Sequence, residues 1–113
     1  MRERRKFPRV PQPLGVQYRK IGELPAMWVT AQILNLSAGG LRFRGEETLA
    51  AGTLLEIQMA LPDAREPLLI QCRVIWCQTQ ASGVTETGVG FSELSPEVQV
   101  RIDEMVQFLN KGA

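Results

Sequence analysis

The feature that most constrains the fold of this chain is an alternation of apolar and polar residues, which recurs in short runs separated by loops containing glycine and proline. Alternation with a period of two places neighbouring side chains on opposite faces of a strand, so each run is predicted to be a β-strand with one buried face. The runs begin at Leu14, Met27, Leu41, Leu55, Leu68 and Thr87. Six short strands in 113 residues favour one mainly β domain, built as a six-stranded antiparallel β-barrel.

Two of the predicted strands are longer than the others and contain several large apolar residues. The run from Met27 to Leu36 does not indicate which of its faces is buried. It ends in the turn 37–40, where paired glycines would allow positive φ. In the run from Leu68 to Gln78, strict alternation assigns to one face Ile70, Cys72, Val74 and Trp76.

The hydrophobic period changes after the last strand. Ser95-Pro96-Glu97 is typical of a helix start, with a capping hydroxyl, a proline in the first turn and an acid near the N-terminus. Asn110-Lys111-Gly112 is typical of a helix end. Between them, one apolar stripe is formed by Val98, Ile102, Met105 and Leu109. We therefore predict a C-terminal α-helix over 95–110 that packs against the barrel, within a domain over 14–113.

The N-terminal residues 1–13 are predicted to be a flexible arm rather than part of the barrel, because they combine charge with Pro8, Pro11 and Pro13. Against the single acid Glu3, the first nine residues carry five cations, namely Arg2, Arg4, Arg5, Lys6 and Arg9. The whole chain has 13 basic and 12 acidic residues, so the remainder is net acidic. A basic arm on an acidic body indicates an anionic ligand at the arm.

Composition excludes several classes of protein. The chain has no histidine, which removes the usual general base, the usual metal ligand and every Ser-His or Cys-His nucleophile. The carboxylates fall in predicted turns or on the helix without converging, so we expect neither an enzyme nor a metal site. No apolar run approaches the roughly 18 residues of a membrane span, and the basic N-terminus lacks the apolar core of a signal peptide. A cytoplasmic location is therefore expected.

The two cysteines agree with that location. Cys72 and Cys77 are five residues apart in one predicted strand, so their side chains should point to opposite faces, about 16 Å apart along the strand. They are not expected to form a disulfide there, and two thiols without histidine make no zinc site. We expect them to act as small apolar side chains in a reducing compartment.

Two local motifs point to a function. The first is an arginine pair four residues apart, Arg5 and Arg9, with Arg4 just before it. The second is Asn35-x-Ser37-x-x-Gly40 in the first hairpin. Each motif alone is common, since basic termini are usually solvated and Asn and Ser often cap hairpin turns. Their combination and order resemble the RxxxR and [D/N]xSxxG motifs of the PilZ domain family, and the resemblance extends to the last strand at Gly88-Val89-Gly90-Phe91 and to the whole chain.

The resemblance implies a bacterial receptor for the second messenger cyclic di-GMP, which is a ligand rather than a cofactor. It assigns ligand contacts to Arg5, Arg9, Asn35, Ser37, Gly39 and Gly40. In the family an arginine at the position of Arg4 accompanies a stacked pair of cyclic di-GMP molecules, so two molecules per site are expected. A protein that binds a messenger and carries no second domain is expected to pass the signal to a separate downstream protein.

The chemistry of these side chains suits the ligand. An arginine fork pairs bidentately with guanine O6 and N7 or with phosphate oxygens. Asn35 offers one amide oxygen to the opposite guanine edge, Ser37 a hydroxyl, and the glycines a close backbone approach. Trp76 is a further candidate if its indole lies outside the barrel, where it could pack on a purine; the alternative is core packing beside Val74 and Ile70.

Two other classes of protein compete with a cyclic di-GMP receptor that orders its arm on binding. One is a PilZ-like adaptor that works through protein contacts without the nucleotide, for instance in pilus or motility machinery; such members usually lack the arginine motif. The other is a small barrel that binds nucleic acid through a basic arm. The net acidic body and the lack of clustered aromatic residues argue against nucleic acid as a partner. Exposed strand positions, namely Arg42, Arg44 and Arg73, are expected to be solvated.

Overall fold

The predicted strands form a closed barrel in the computed structural model, which describes residues 15–25, 27–60 and 66–111, with side chains up to 108. The elements are β1 (Gly15–Lys20), β2 (Val29–Leu36), β3 (Gly40–Gly45), β4 (Leu54–Met59), β5 (Leu68–Thr79), β6 (Thr85–Phe91) and α1 (Pro96–Lys111). The strand order around the barrel is β1-β2-β3-β6-β5-β4, closed by β4 against β1, and every pair is antiparallel. The mainly β class, the six strands and the C-terminal helix are thus confirmed.

The barrel interior is filled by the apolar side chains that the alternation predicts. Tyr18 and Phe43 are its largest fully buried residues, and their ring centroids lie 5.2 Å apart. Strand positions that face inward include Val16, Ile57, Met59, Ile70 and Val74, all of them almost completely buried. Each such side chain contributes about 1.5–3 kcal/mol by leaving water, which makes this single core the main source of stability.

The predicted apolar stripe of the helix packs against the barrel core. The Ser95 hydroxyl accepts a hydrogen bond from the Val98 amide at 3.2 Å, which confirms the cap. Ile102 and Met105 are buried in the core, and Val98 packs half-buried against it. The side chain of Leu109 and the arm over 1–13 lie outside the described residues.

β-Bulges interrupt the alternation in two strands. In β2 the pairing register shifts between Ile33 and Asn35, so that Leu34 is an extra residue and Asn35 points outward. In β5 it shifts between Val74 and Trp76, so that Ile75 and Trp76 are both exposed. An extra residue reverses the facing of every residue beyond it, which a period of two cannot reveal.

The bulge in β5 corrects two predictions. Trp76 does not share the face of Val74 but lies on the barrel exterior, 39% exposed. The prediction that Cys72 and Cys77 point to opposite faces is wrong, because the extra residue turns both thiols towards the interior. Cys72 is buried and Cys77 packs against the same core; both are free. Burial raises the pKa of the Cys72 thiol to about 12, which keeps it protonated and unreactive.

A polar cluster closes the end of the barrel where β1 stops. The buried Tyr18 hydroxyl donates a hydrogen bond to Glu47 Oε1 at 2.6 Å, and Lys20 Nζ lies 2.8 Å from Glu47 Oε2. The backbone carbonyl of Glu47 also accepts a hydrogen bond from Thr85 at 3.1 Å. Two hydrogen bonds lower the pKa of the Glu47 carboxyl: the larger effect comes from Lys20 and the smaller one from Tyr18. Glu47 therefore fastens the loop after β3 to the barrel.

We expect Glu47→Gln to lower the free energy of unfolding by about 1–2 kcal/mol near neutral pH, because a charge-assisted pair is lost. Since the folded pKa of Glu47 is lowered, its ionised form stabilises the protein above the ordinary glutamate pKa, and this contribution disappears as the pH falls through the folded pKa. Urea unfolding should therefore show a difference between wild type and variant that shrinks in acid. Glu93→Gln, at an exposed position, is the control, and an equal effect of both variants would contradict the assignment.

Candidate functional site

The turn between β2 and β3 is built from the residues of the second motif. Ser37 donates twice to the Gly40 carbonyl, from its amide at 2.9 Å and from its hydroxyl at 3.2 Å. The Gly39 carbonyl accepts a hydrogen bond from the Phe91 amide at 2.9 Å, which ties the turn to the end of β6. Asn35 and Ser37 remain exposed. Their polar groups are therefore held on the barrel surface and available to a ligand.

Of the two glycines of the turn, only Gly40 is required, and for a different reason than predicted. Neither Gly39 nor Gly40 has positive φ, so the expected left-handed conformation is wrong. Gly40 instead lies so close to β6 that a Cβ atom would overlap the carbonyl oxygen of Val89, whereas a Cβ on Gly39 would meet nothing within 4 Å. The motif therefore needs its last glycine because the backbones of β3 and β6 approach each other closely at this position.

One row of residues crosses four strands on the barrel exterior. Asn35 pairs with Arg42 of β3, Arg42 pairs with Gly88 of β6, and Gly88 pairs with Trp76 of β5. The indole of Trp76 lies over Gly88, where a Cβ atom would overlap the ring. The two bulges place the ends of this row outside the barrel, because without them Asn35 and Trp76 would face inward.

This row borders a groove of about 480 Å³. The residues that line it are Asn35, Ser37, Gly39, Gly40, Leu41, Arg42, Ile75, Trp76, Gly88 and Val89. Polar groups of the turn lie on one side and Ile75 and Trp76 on the other, with Gly88 beneath the indole between them. A surface with an indole, an amide, a hydroxyl and a guanidinium suits a flat, polar, anionic molecule.

The structure brings together part of the predicted site. Asn35, Ser37, Gly39, Gly40 and Trp76 line one groove, although they come from the first hairpin and from β5. The predictions for Arg4, Arg5 and Arg9 fall outside the described residues.

Five lining residues were missed by the sequence reasoning, namely Leu41, Arg42, Ile75, Gly88 and Val89. Arg42 was taken as a solvated strand position, and no described carboxylate lies within ion-pair distance of it. Strand pairing alone places it between Asn35 and Gly88. The glycine at 88 is the one signal that could have indicated close approach of a neighbouring ring.

Within 15–25, 27–60 and 66–111, no group of three cysteine, aspartate or glutamate side chains could hold a metal ion. In the same part of the chain, no helix is long and apolar enough to cross a membrane.

Comparison with known proteins identifies the family. The family model of the PilZ domain matches residues 3–108, nearly the whole chain. The chain therefore belongs to the PilZ domain family. No curated protein matches it by sequence.

Solved structures show the same fold at low identity. The PilZ domain of YcgR from Escherichia coli, solved with cyclic di-GMP, is 15% identical with a TM-score of 0.69, over 88% of this chain and 82% of that one. The PilZ domain of CeSA from a cellulose-synthesizing bacterium is 18% identical with a TM-score of 0.63, over 89% and 96%. The motility inhibitor MotI of Bacillus subtilis is 22% identical with a TM-score of 0.64; 96% of this chain aligns with 53% of that longer protein.

Proposed function

We propose that this protein is a cytoplasmic, non-catalytic receptor that binds cyclic di-GMP in the groove beside the first hairpin. The observation that carries the proposal is the row that brings the Asn35 amide, the Arg42 guanidinium and the Trp76 indole to one groove. Membership of the PilZ family supports the same ligand, as does the solved complex of the YcgR domain with cyclic di-GMP.

Each group in the groove has a matching group on the ligand. A guanine can stack on the exposed face of Trp76. The amide oxygen of Asn35 accepts a hydrogen bond from a guanine N–H, and the Ser37 hydroxyl binds a base or phosphate. Arg42 reaches phosphate oxygen or the O6 and N7 edge of guanine. Gly39 leaves open space for the ring system beside the turn, since a Cβ atom there would meet nothing within 4 Å.

The arginines of the arm supply the remaining contacts in this proposal. Gly15 pairs with Gln32, so β1 begins beside β2 only three residues before Asn35. Arg9 precedes Gly15 by six residues, which span up to about 20 Å when extended. That reach is enough to bring Arg9 and Arg5 to a ligand in the groove. Arg4 adds a cation for a second, stacked cyclic di-GMP molecule.

Binding then acts as a switch, because a dianionic ligand between arm and barrel orders the arm against the groove. Part of the binding free energy is spent on that ordering. The surface made of arm, ligand and barrel is new, and a downstream protein recognises it. The competing candidate is an adaptor that contacts proteins without the nucleotide.

Calorimetric titration with cyclic di-GMP, with GTP and cyclic GMP as controls, tests the proposal directly. We expect saturable heat for cyclic di-GMP alone and a stoichiometry of two. No heat would leave the adaptor as the function, and a shift of single-stranded RNA in electrophoresis would favour the nucleic-acid class.

The chain's two tryptophans provide a matched test of where the ligand binds. Trp28 lies at the other end of the barrel and stacks on Arg19, whereas Trp76 lines the groove. We expect cyclic di-GMP to quench the fluorescence of Trp28→Phe but not that of Trp76→Phe, because only the first variant keeps an indole in the groove. Trp76→Ala should lose roughly tenfold in affinity, as for loss of one stacked base. Quenching that survives in Trp76→Phe and vanishes in Trp28→Phe would contradict the site.

A further inference from the structure

The outward face of β6 carries two glycines, Gly88 and Gly90, that β5 covers to different extents. Glu86 and Gly90 are half-buried on this face, whereas Gly88 is buried. Gly88 pairs with Trp76 of β5, and the indole of Trp76 lies over it. The indole is therefore what shields position 88 from solvent.

The contact between the indole and Gly88 leaves no room for a side chain. A Cβ atom on Gly88 would overlap Nε1, Cε2 and Cζ2 of Trp76, which run along one side of the ring system. A Cβ atom on Gly90 would meet only the end of the Ile75 side chain, with Cδ1 at 3.4 Å. That separation is close to ordinary van der Waals contact. The need for glycine on this face is therefore specific to position 88.

The lack of a side chain at position 88 also decides where the indole lies in the groove. Gly88 pairs with Trp76 on one side and with Arg42 on the other. The backbones of Arg42 and Trp76 are thus two strand spacings apart, about 10 Å. An indole that covers Gly88 reaches from β5 across β6, and it remains 39% exposed. A base stacked on it therefore lies beside Arg42 rather than over β5 alone.

We propose that Gly88 is a positioning residue for ligand binding, which makes room for the Trp76 indole over β6 and so sets the stacking surface beside Arg42. This inference rests on the proposed function, because it assigns the indole to a guanine of cyclic di-GMP. With a side chain at position 88 the indole has to leave β6, and the stacked base moves away from the guanidinium. An indole already held in place also loses less conformational freedom on binding.

Fluorescence of the unliganded protein tests the positioning by itself. Gly88→Ala and Gly90→Ala are made in Trp28→Phe, so that Trp76 is the remaining tryptophan. Displacement of the indole in Gly88→Ala should increase quenching by acrylamide and weaken the near-ultraviolet circular dichroism of the tryptophan. Gly90→Ala is the matched control, since it adds the same methyl group two residues away on the same face, and it should change neither signal. Identical signals in Gly88→Ala and its parent would overturn the proposal.

Calorimetric titration with cyclic di-GMP tests what the positioning does for the ligand. Gly88→Ala should weaken binding roughly tenfold, as Trp76→Ala does, because both variants lose the stacked base. The double variant should bind within about twofold of Trp76→Ala, since a residue that acts only through the indole has no effect once the indole is gone. A further loss of the same size in the double variant, or an equal loss in Gly90→Ala, would contradict a role through Trp76.

The double variant keeps the test decisive if Gly88→Ala does not fold, because removal of the indole also removes the overlap. Urea unfolding should show that Gly88→Ala destabilises the protein that has Trp76 and has little effect in Trp76→Ala. An equal destabilisation in both backgrounds would overturn the proposal. Absence of binding by the wild type would instead overturn the proposed function and, with it, the role of Gly88 towards the ligand, whatever the spectra show about the indole.

Discussion

Replacing Arg5 or Arg9 by alanine is expected to reduce the affinity for cyclic di-GMP by about ten- to a hundredfold each. The reason is that each guanidinium makes a charge-assisted contact with phosphate or guanine, worth about 1.5–3 kcal/mol. Calorimetric titration measures the change directly. The affinity of the wild type should also fall as salt rises, since exposed contacts between arginine and phosphate are screened.

The matched control for this experiment is Arg2→Ala, which removes a cation from the same arm but not from the motif. If the arm acts only through its overall charge, all three variants lose affinity equally, and the assignment of Arg5 and Arg9 is wrong. Unchanged affinity in both motif variants would remove the arm from the site, while the groove on the barrel would remain a candidate.

Gly40→Ala should have the largest effect on stability. A Cβ atom at this position overlaps the carbonyl oxygen of Val89, and a backbone atom in a paired strand cannot move aside as a flexible side chain can. We expect the free energy of unfolding to fall by about 3 kcal/mol, the upper end of the usual cost of overpacking, because the overlapping atom belongs to the backbone. The turn that holds Ser37 should shift with it, so affinity for cyclic di-GMP should fall as well. Urea unfolding and titration measure the two effects.

Gly39→Ala provides the comparison one residue away. A Cβ at Gly39 meets nothing within 4 Å and its φ is not positive, so we expect its free energy of unfolding to stay within about 0.5 kcal/mol of wild type. Equal destabilisation by the two substitutions would mean that the turn needs glycine for backbone freedom rather than for close approach to β6.

Much of the fold could be predicted because its strands and its helix follow the local period of apolar residues in the sequence. The alternation around Val16 and Tyr18 and that around Ile70 and Cys72 indicate which side chains fill the barrel. The stripe containing Ile102 and Met105 indicates the face that the helix buries. Such patterns are reliable because burying apolar area dominates the energetics of folding.

The boundaries were less predictable. β6 begins at Thr85 rather than Thr87, and both threonines are buried despite their hydroxyls. Thr85 bonds to the Glu47 carbonyl, and Thr87 bonds to the Cys77 sulfur at 3.3 Å. Partners that satisfy a buried hydroxyl come from distant segments, so a local pattern cannot supply them.

The sequence by itself determined the strands, the helix, the hairpin turn and the two motifs, because each depends on neighbours within one element. Only the tertiary structure decided that Asn35 and Trp76 face the same groove and that Arg42 and Gly88 lie between them. The physical reason is the pair of β-bulges: one extra residue in each strand reverses the facing of all that follows, and its position is fixed by pairing with other strands.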